Sequence, residues 1–254
     1  MLQSVFKYYL FLAVISLSNV CFLVAQDAGN EHTNAENIFR SVYDFRFREA
    51  DSMIAATNVS DPVKQLLQAD LLWWKTISSN NREKFTAFIK QFVAQTETSD
   101  FWLTFEGQVA QQSYYIRYNL VERNYLKAFK EYMTLKRLLK EGKGISNPEL
   151  DEFAGLFQVY LDYLEILENY YYRSLYSKKA TFTAALKIAE IETQVDSGNI
   201  IYRTLGHYFL YKFYSEVDSD KDKSLRHAYF LAGEYPNNTV FQGYINDQEA
   251  AFEE

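Results

Sequence analysis

Apolar residues recur every three or four positions along almost the whole chain after residue 34. Val63, Leu66, Leu67, Leu71 and Trp74 trace one face of a helix. The same spacing links Trp102, Phe105, Val109 and Ile116, and again Phe153, Leu156, Phe157, Tyr160, Leu161 and Leu164. Polar and turn-forming residues fall between these runs. Asp61-Pro62 and Asn147-Pro148 each read as a cap followed by proline at the first helical position, where the missing N–H costs nothing. Pro236 ends one helix, and Gly198-Asn199 pairs a helix-ending glycine with a new cap. The pattern predicts helices over 34–44, 47–57, 62–77, 81–95, 100–121, 124–140, 148–172, 178–195, 199–216, 222–235 and 238–252. The break at Asp44-Phe45-Arg46 is the one that no glycine or proline marks. Connections this short make most neighbouring helices antiparallel.

A shorter pattern repeats within this one. A large apolar residue, an alanine three positions on and a further apolar residue recur in Phe47-Ala50-Ile54, Tyr125-Ala128-Tyr132, Phe182-Ala185-Ala189 and Leu225-Ala228-Ala232. Phe85-Phe88-Phe92 is a copy without the alanine. Successive copies are 38, 40, 57 and 43 residues apart, so the third interval implies overlong helices. A small residue in every hairpin lets its second helix approach its neighbours, and stacked hairpins bury faces that none could bury alone.

Phe47, Ala50 and Ile54, with Pro62 eight residues later, resemble the second helix and closing proline of a tetratricopeptide repeat. Tyr202, Leu205 and Gly206 resemble its first-helix signature, and Tyr235-Pro236-Asn237-Asn238 its closing turn. Gly155-Leu156-Phe157-Gln158-Val159-Tyr160 resembles a stretch of exported repeat proteins of the Bacteroidetes type. The resemblance covers most of residues 34–240. It implies a right-handed all-α solenoid of about five antiparallel hairpins with a terminal capping helix, binding a protein segment on its concave face. The departures are repeats longer than the usual 34 residues and the hairpin without alanine.

Composition narrows the function classes. Nine Gly and three Pro in 254 residues stand against roughly 18 and 13 at average usage, which argues against sandwiches and barrels with their frequent tight turns. A hydrophobic content of 48% excludes a disordered chain, and a net charge of −7 speaks against a nucleic-acid partner. Residues 1–25 carry one charge, Lys7, before an apolar run, and end in Ala25. They read as a secretory signal peptide, with an uncleaved anchor or acylation at Cys21 as alternatives. Cleavage after Ala25 leaves 25 Lys and Arg against 33 Asp and Glu, a charge of −8, and removes the single cysteine. Disulfide, thiolate-zinc and cysteine-nucleophile chemistry go with it. Residues 26–33 read as a flexible mature start, 34–254 as one helical-repeat domain without a further membrane span, and the location as the periplasm or the outer side of the envelope.

Signatures of catalysis are sparse. Gly142-Lys143-Gly144 lacks the rest of a phosphate loop and reads as a helix-ending turn. His32 falls in the polar start, while His207 and His227, on helices 20 residues apart, do not by spacing alone form a metal site. Asp218, Asp220 and Asp222 open like a calcium loop, but Lys223 and Tyr229 occupy the positions that need glycine and glutamate. Asp151 with Glu152 and Glu165 with Glu168 read as solvated helix faces. No cofactor and no enzymatic activity are expected. The aromatics, 17% of the chain, suit packing between hairpins and also a binding groove. Trp74, Tyr114, Arg117, Tyr118, Tyr171 and Arg173 are the candidate partner-binding residues. The expected function is a non-catalytic protein-binding scaffold exported to the envelope, with a small-ligand or glycan-binding protein using an aromatic groove as the alternative.

Overall fold

A computed structural model describes residues 29–79, 81–142, 166, 178–196 and 200–250, and these residues form helices and turns with no strand among them. The helices are α1 (Gly29–Tyr43), α2 (Phe47–Ala56), α3 (Asp61–Ser78), α4 (Arg82–Thr96), α5 (Phe105–Val121), α6 (Tyr125–Glu141), α7 (Lys178–Val195), α8 (Ile200–Glu216), α9 (Lys221–Glu234) and α10 (Thr239–Ala250). Their ends fall within about two residues of the predicted ones, apart from two differences. Helix α1 begins at Gly29, so residues 29–33, expected to be flexible, are helical. The stretch expected as one helix over 100–121 is a 3₁₀ turn at Asp100–Leu103 followed by α5. The break is local in origin. The Thr104 hydroxyl accepts from Gly107 N at 3.1 Å and caps α5, and a side chain at Gly107 would overlap the Phe101 carbonyl. The predicted helix 148–172 lies outside the described residues.

One turn recurs between paired helices. Phe45, Arg123 and Ser219 have left-handed φ values of 58°, 57° and 57°, and they join α1 to α2, α5 to α6 and α8 to α9. At two of these turns the N–H past the left-handed residue bonds back five residues, Arg46 N to Ser41 O at 2.9 Å and Asn124 N to Asn119 O at 2.6 Å, the closure that usually ends on glycine. The residue three past the start of each second helix is small and fully buried: Ala50, Ala128 and Ser224. The last is a finding about register. The repeating small position in α9 is Ser224, one helical turn before the Ala228 expected from the sequence, although Ala228 is buried too. Ala185, expected in the same role in α7, is exposed.

From α1 to α6 each helix packs against the next, and so does each from α7 to α10. The two ends of the described chain also meet. Arg40 of α1 pairs with Glu234 of α9. The Asp44 carboxylate accepts from Asn237 N and from Asn237 Nδ2, both at 2.9 Å, and Asn238 Nδ2 donates to Tyr43 O at 2.7 Å. The unmarked break at Asp44-Phe45-Arg46 is therefore gripped by the Pro236-Asn237-Asn238 turn. Tyr43, Trp74, Tyr235 and Phe241 pack together behind it. Among the described residues no helix is long and apolar enough to cross a membrane.

Candidate functional site

The aromatic face of α3 and α5 encloses a polar centre. Asp70 of α3 and Tyr114 and Arg117 of α5 are each at most 2% exposed. The Tyr114 hydroxyl donates to Asp70 Oδ1, and Arg117 Nη1 stands 4.0 Å from the same oxygen. The guanidinium lies over the rings of Tyr114 and Trp73, 4.4 and 5.4 Å from their centroids. Burial pushes the Asp70 carboxyl up to about 6, against the opposing pull of Arg117 and the hydroxyls of Tyr114 and Tyr43. At neutral pH the centre is therefore a buried ion pair. It joins α3 to α5 and is sealed from any ligand in solution.

This burial corrects part of the expected site. Tyr114 and Arg117 are core residues, and so is Trp74, 5% exposed among Tyr43, Phe45 and Phe241. Helix α5 buries apolar and polar residues around much of its circumference, as a helix enclosed by neighbours does, which leaves Arg117 facing Asp70 instead of solvent. Tyr118 is half-buried and stacks on Phe88 at 6.3 Å. Tyr171 and Arg173 lie outside the described residues, as do Asp151, Glu152, Glu165 and Glu168. Among the described residues the structure thus brings Tyr114 and Arg117 together and places them in the interior.

A second polar centre sits between α8 and α9. His207 and His227, each 2% exposed, face each other with Nδ1 to Nδ1 at 2.9 Å. The Phe230 ring stacks on His207 at 3.6 Å, and the Tyr214 ring lies parallel to His227 at 5.8 Å. Asp196 Oδ1 lies 3.4 Å from His207 Nε2, and Arg226 Nη2 is 3.6 Å from the other Asp196 oxygen. Beside them the Tyr214 hydroxyl donates to Glu192 at 2.6 Å and accepts from Lys223 at 3.1 Å. Burial drives both imidazoles down, His207 to about 4 and His227 to about 3, so both are neutral at pH 7. Among the described residues no group of three or more His, Cys, Asp and Glu is placed to hold a metal ion. Asp220, read as part of a calcium-like run, caps α9 by accepting from Lys223 N at 3.1 Å.

The pairing of the histidines escaped spacing arguments, yet it carries a signal. An antiparallel hairpin turning at Val217–Asp220 brings together residues at similar distances on either side of the turn, and His207 and His227 meet that condition.

The surface offers a third feature. Leu126, Phe129 and Met133 of α6 are 73%, 38% and 48% exposed. Lys130, Arg137 and Lys140 are exposed on the same arc of the helix, while Ala128, Leu135 and Leu139 are buried on the opposite one. The outward face of α6 therefore sets three apolar side chains beside three basic ones, of which Arg137 lies 3.9 Å from the exposed Glu141, in a chain of net charge −7. Comparison with protein-family models, with curated proteins and with solved structures gives no match to this chain.

Proposed function

We propose that this chain is an exported, non-catalytic scaffold whose stacked helical hairpins, about five in a tetratricopeptide-like solenoid with α10 as the cap, bind a segment of a partner protein. The recurring left-handed turn followed by a buried small residue supports the repeat architecture. The observation that carries the binding reading is the outward face of α6. Leu126, Phe129 and Met133, partly exposed beside basic side chains, suit a protein segment that offers apolar anchors and carboxylates. The partner face accordingly moves from the first helices of the hairpins to a second helix. The glycan-groove alternative loses its support, because Trp74 and Tyr114 are buried; among the described residues Phe129 and Tyr229 are the strongly exposed rings.

The test is affinity capture of the mature chain, residues 26–254, from its native envelope, beside the variant Leu126→Glu/Met133→Glu. Both should show the same helical content by circular dichroism. A partner held by the parent chain and lost by the variant supports the reading. Retention of the same partner by both refutes the α6 face, and no partner above background refutes the scaffold.

A further inference from the structure

Two imidazole nitrogens facing each other across a buried hairpin are an unusual way to join helices. Two apolar side chains would pack there without any requirement on protonation. Nδ1 of His207 and Nδ1 of His227, 2.9 Å apart, form a hydrogen bond only when one carries a proton and the other does not. With Asp196 3.4 Å from Nε2 of His207, the favoured arrangement has Nε2–H of His207 facing the carboxylate. Nδ1 of His207 then accepts from Nδ1–H of His227.

Adding protons from solvent has two stages. A first proton on Nδ1 of His207 makes that ring the donor, and His227 exchanges its Nδ1 proton for one on Nε2, which keeps the bond. A second proton, on His227, sets N–H against N–H. Arg203 from α8 and Arg226 and Lys223 from α9 face the pair and oppose the added charge, and Asp196, from the turn after α7, is the one anion among these groups. Tyr214 covers the His227 ring with its hydroxyl already committed to Glu192 and Lys223.

We propose that the His207–His227 contact is a proton-operated latch: in acid it lets α9 part from α8 and so loosens the Tyr235–Asn238 turn that grips the N-terminal helices. The consequence follows from position. The residues that hold Arg40, Asp44 and the Tyr43 carbonyl are Glu234, Asn237 and Asn238, at and just beyond the end of α9. An opened hairpin cannot keep that turn in place.

The experiment is hydrogen exchange read by mass spectrometry on the mature chain between pH 7 and pH 5, corrected for intrinsic exchange. An open-state value near 6.5 against a folded value of about 4 for His207 gives a roughly 20-fold rise in opening between pH 7 and pH 5 from that histidine alone. The expected result is a loss of protection of at least that size, confined to α8, α9 and the 235–238 turn. In His207→Asn/His227→Asn the same segments should change less than about threefold, since asparagine keeps a donor and an acceptor near Nδ1 without titrating. Equal acid sensitivity in parent and variant, or loss spread evenly over α1 to α5, overturns the latch. Should the variant fail to fold, imidazole ¹⁵N spectra of the parent decide. One Nδ1–H ring and one Nε2–H ring, both neutral at pH 6, support it, and two rings titrating near 6.5 in the closed hairpin refute it.

Discussion

The centres at Asp70–Tyr114–Arg117 and at His207–His227 solve the same problem by opposite means. Each puts polar groups inside an aromatic wall, between helices that must hold a fixed register. The N-terminal centre keeps its charges and balances them, since Arg117 is always cationic and Asp70 is largely ionised at pH 7. The histidine pair at the C-terminal centre is itself uncharged at pH 7 and depends on one shared proton. A charged pair fails when a partner is removed, whereas a neutral pair fails when a proton is added. The first therefore acts as a rivet broken by loss of a partner and the second as a latch released by gain of a proton.

The largest expected effect tests the rivet. Arg117→Ala leaves the Asp70 carboxylate buried without its cation and removes the stem packed on Trp73 and Tyr114. Breaking such a pair costs about 3–5 kcal/mol, to be read from urea unfolding followed by tryptophan fluorescence. All three tryptophans, Trp73, Trp74 and Trp102, lie in this half of the described chain, so the signal reports on the right region. Replacing both charges, Asp70→Leu/Arg117→Met, should recover most of the loss or exceed the parent's stability. A small loss in Arg117→Ala would mean that the 4.0 Å approach carries little energy and would erase the contrast.

Next in size is His227→Leu, which leaves Nδ1 of His207 without its partner. An unsatisfied buried group of this kind costs about 1–3 kcal/mol. The loss should appear in the hydrogen-exchange protection of α8 and α9 before it appears in tryptophan fluorescence. Coincident loss by both probes would show that the two centres belong to one cooperative unit.

The two centres also carry opposite pH signs. Asp70 has a folded value raised to about 6 from 3.8, so its contribution is complete below about 3.8 and fades as pH rises through 6. The histidines have folded values lowered to about 4 and about 3 from 6.5, so their contribution is complete above 6.5 and is lost as pH falls. Between pH 6.5 and 5 two histidines outweigh one carboxyl, and the parent chain should lose stability on acidification. Asp70→Asn should steepen that loss, while the histidine variant should flatten or reverse it. Unfolding free energies measured at pH 7, 6 and 5 distinguish these slopes.

How much of this was legible depends on the range of the cause. Helix ends set by Pro62, Asn124, Asp220 or Pro236 are local events, and apolar periodicity with caps finds them within a residue or two. The 3₁₀ turn before α5 has local signals too, in Ser99 and Thr104, but the apolar run through Phe101, Trp102 and Phe105 conceals them. Arg117 was misplaced for another reason. Its partner lies 47 residues away, and an arginine beside tyrosines looks the same in a sequence whether it faces water or an aspartate. The break at Asp44-Phe45-Arg46 could be placed from the helical periodicity, but its anchor could not be found. The groups that hold it, Asn237 and Asn238, come from the far end of the chain.

The smallest effect concerns the contact that joins the two regions. Arg40 and Glu234 pair across the junction, yet their side chains are 40% and 22% exposed. Water and salt screen such a pair, and ordering two long side chains offsets part of the attraction, so a double-mutant cycle should give a coupling of about 0.2–1 kcal/mol, shrinking as salt rises from 0.05 to about 0.5 M. Asp44 grips the same turn with two hydrogen bonds and is itself buried, so Asp44→Ala should cost more and respond less to salt. If the Arg40–Glu234 coupling instead exceeds that of Asp44, the ends are held by exposed charge, and the junction would open with salt as readily as with acid. Coupling in the expected order leaves the hydrogen-bonded turn at the end of α9 as the hold between the regions. In that case protonation of the histidines reaches the N-terminal helices through the turn.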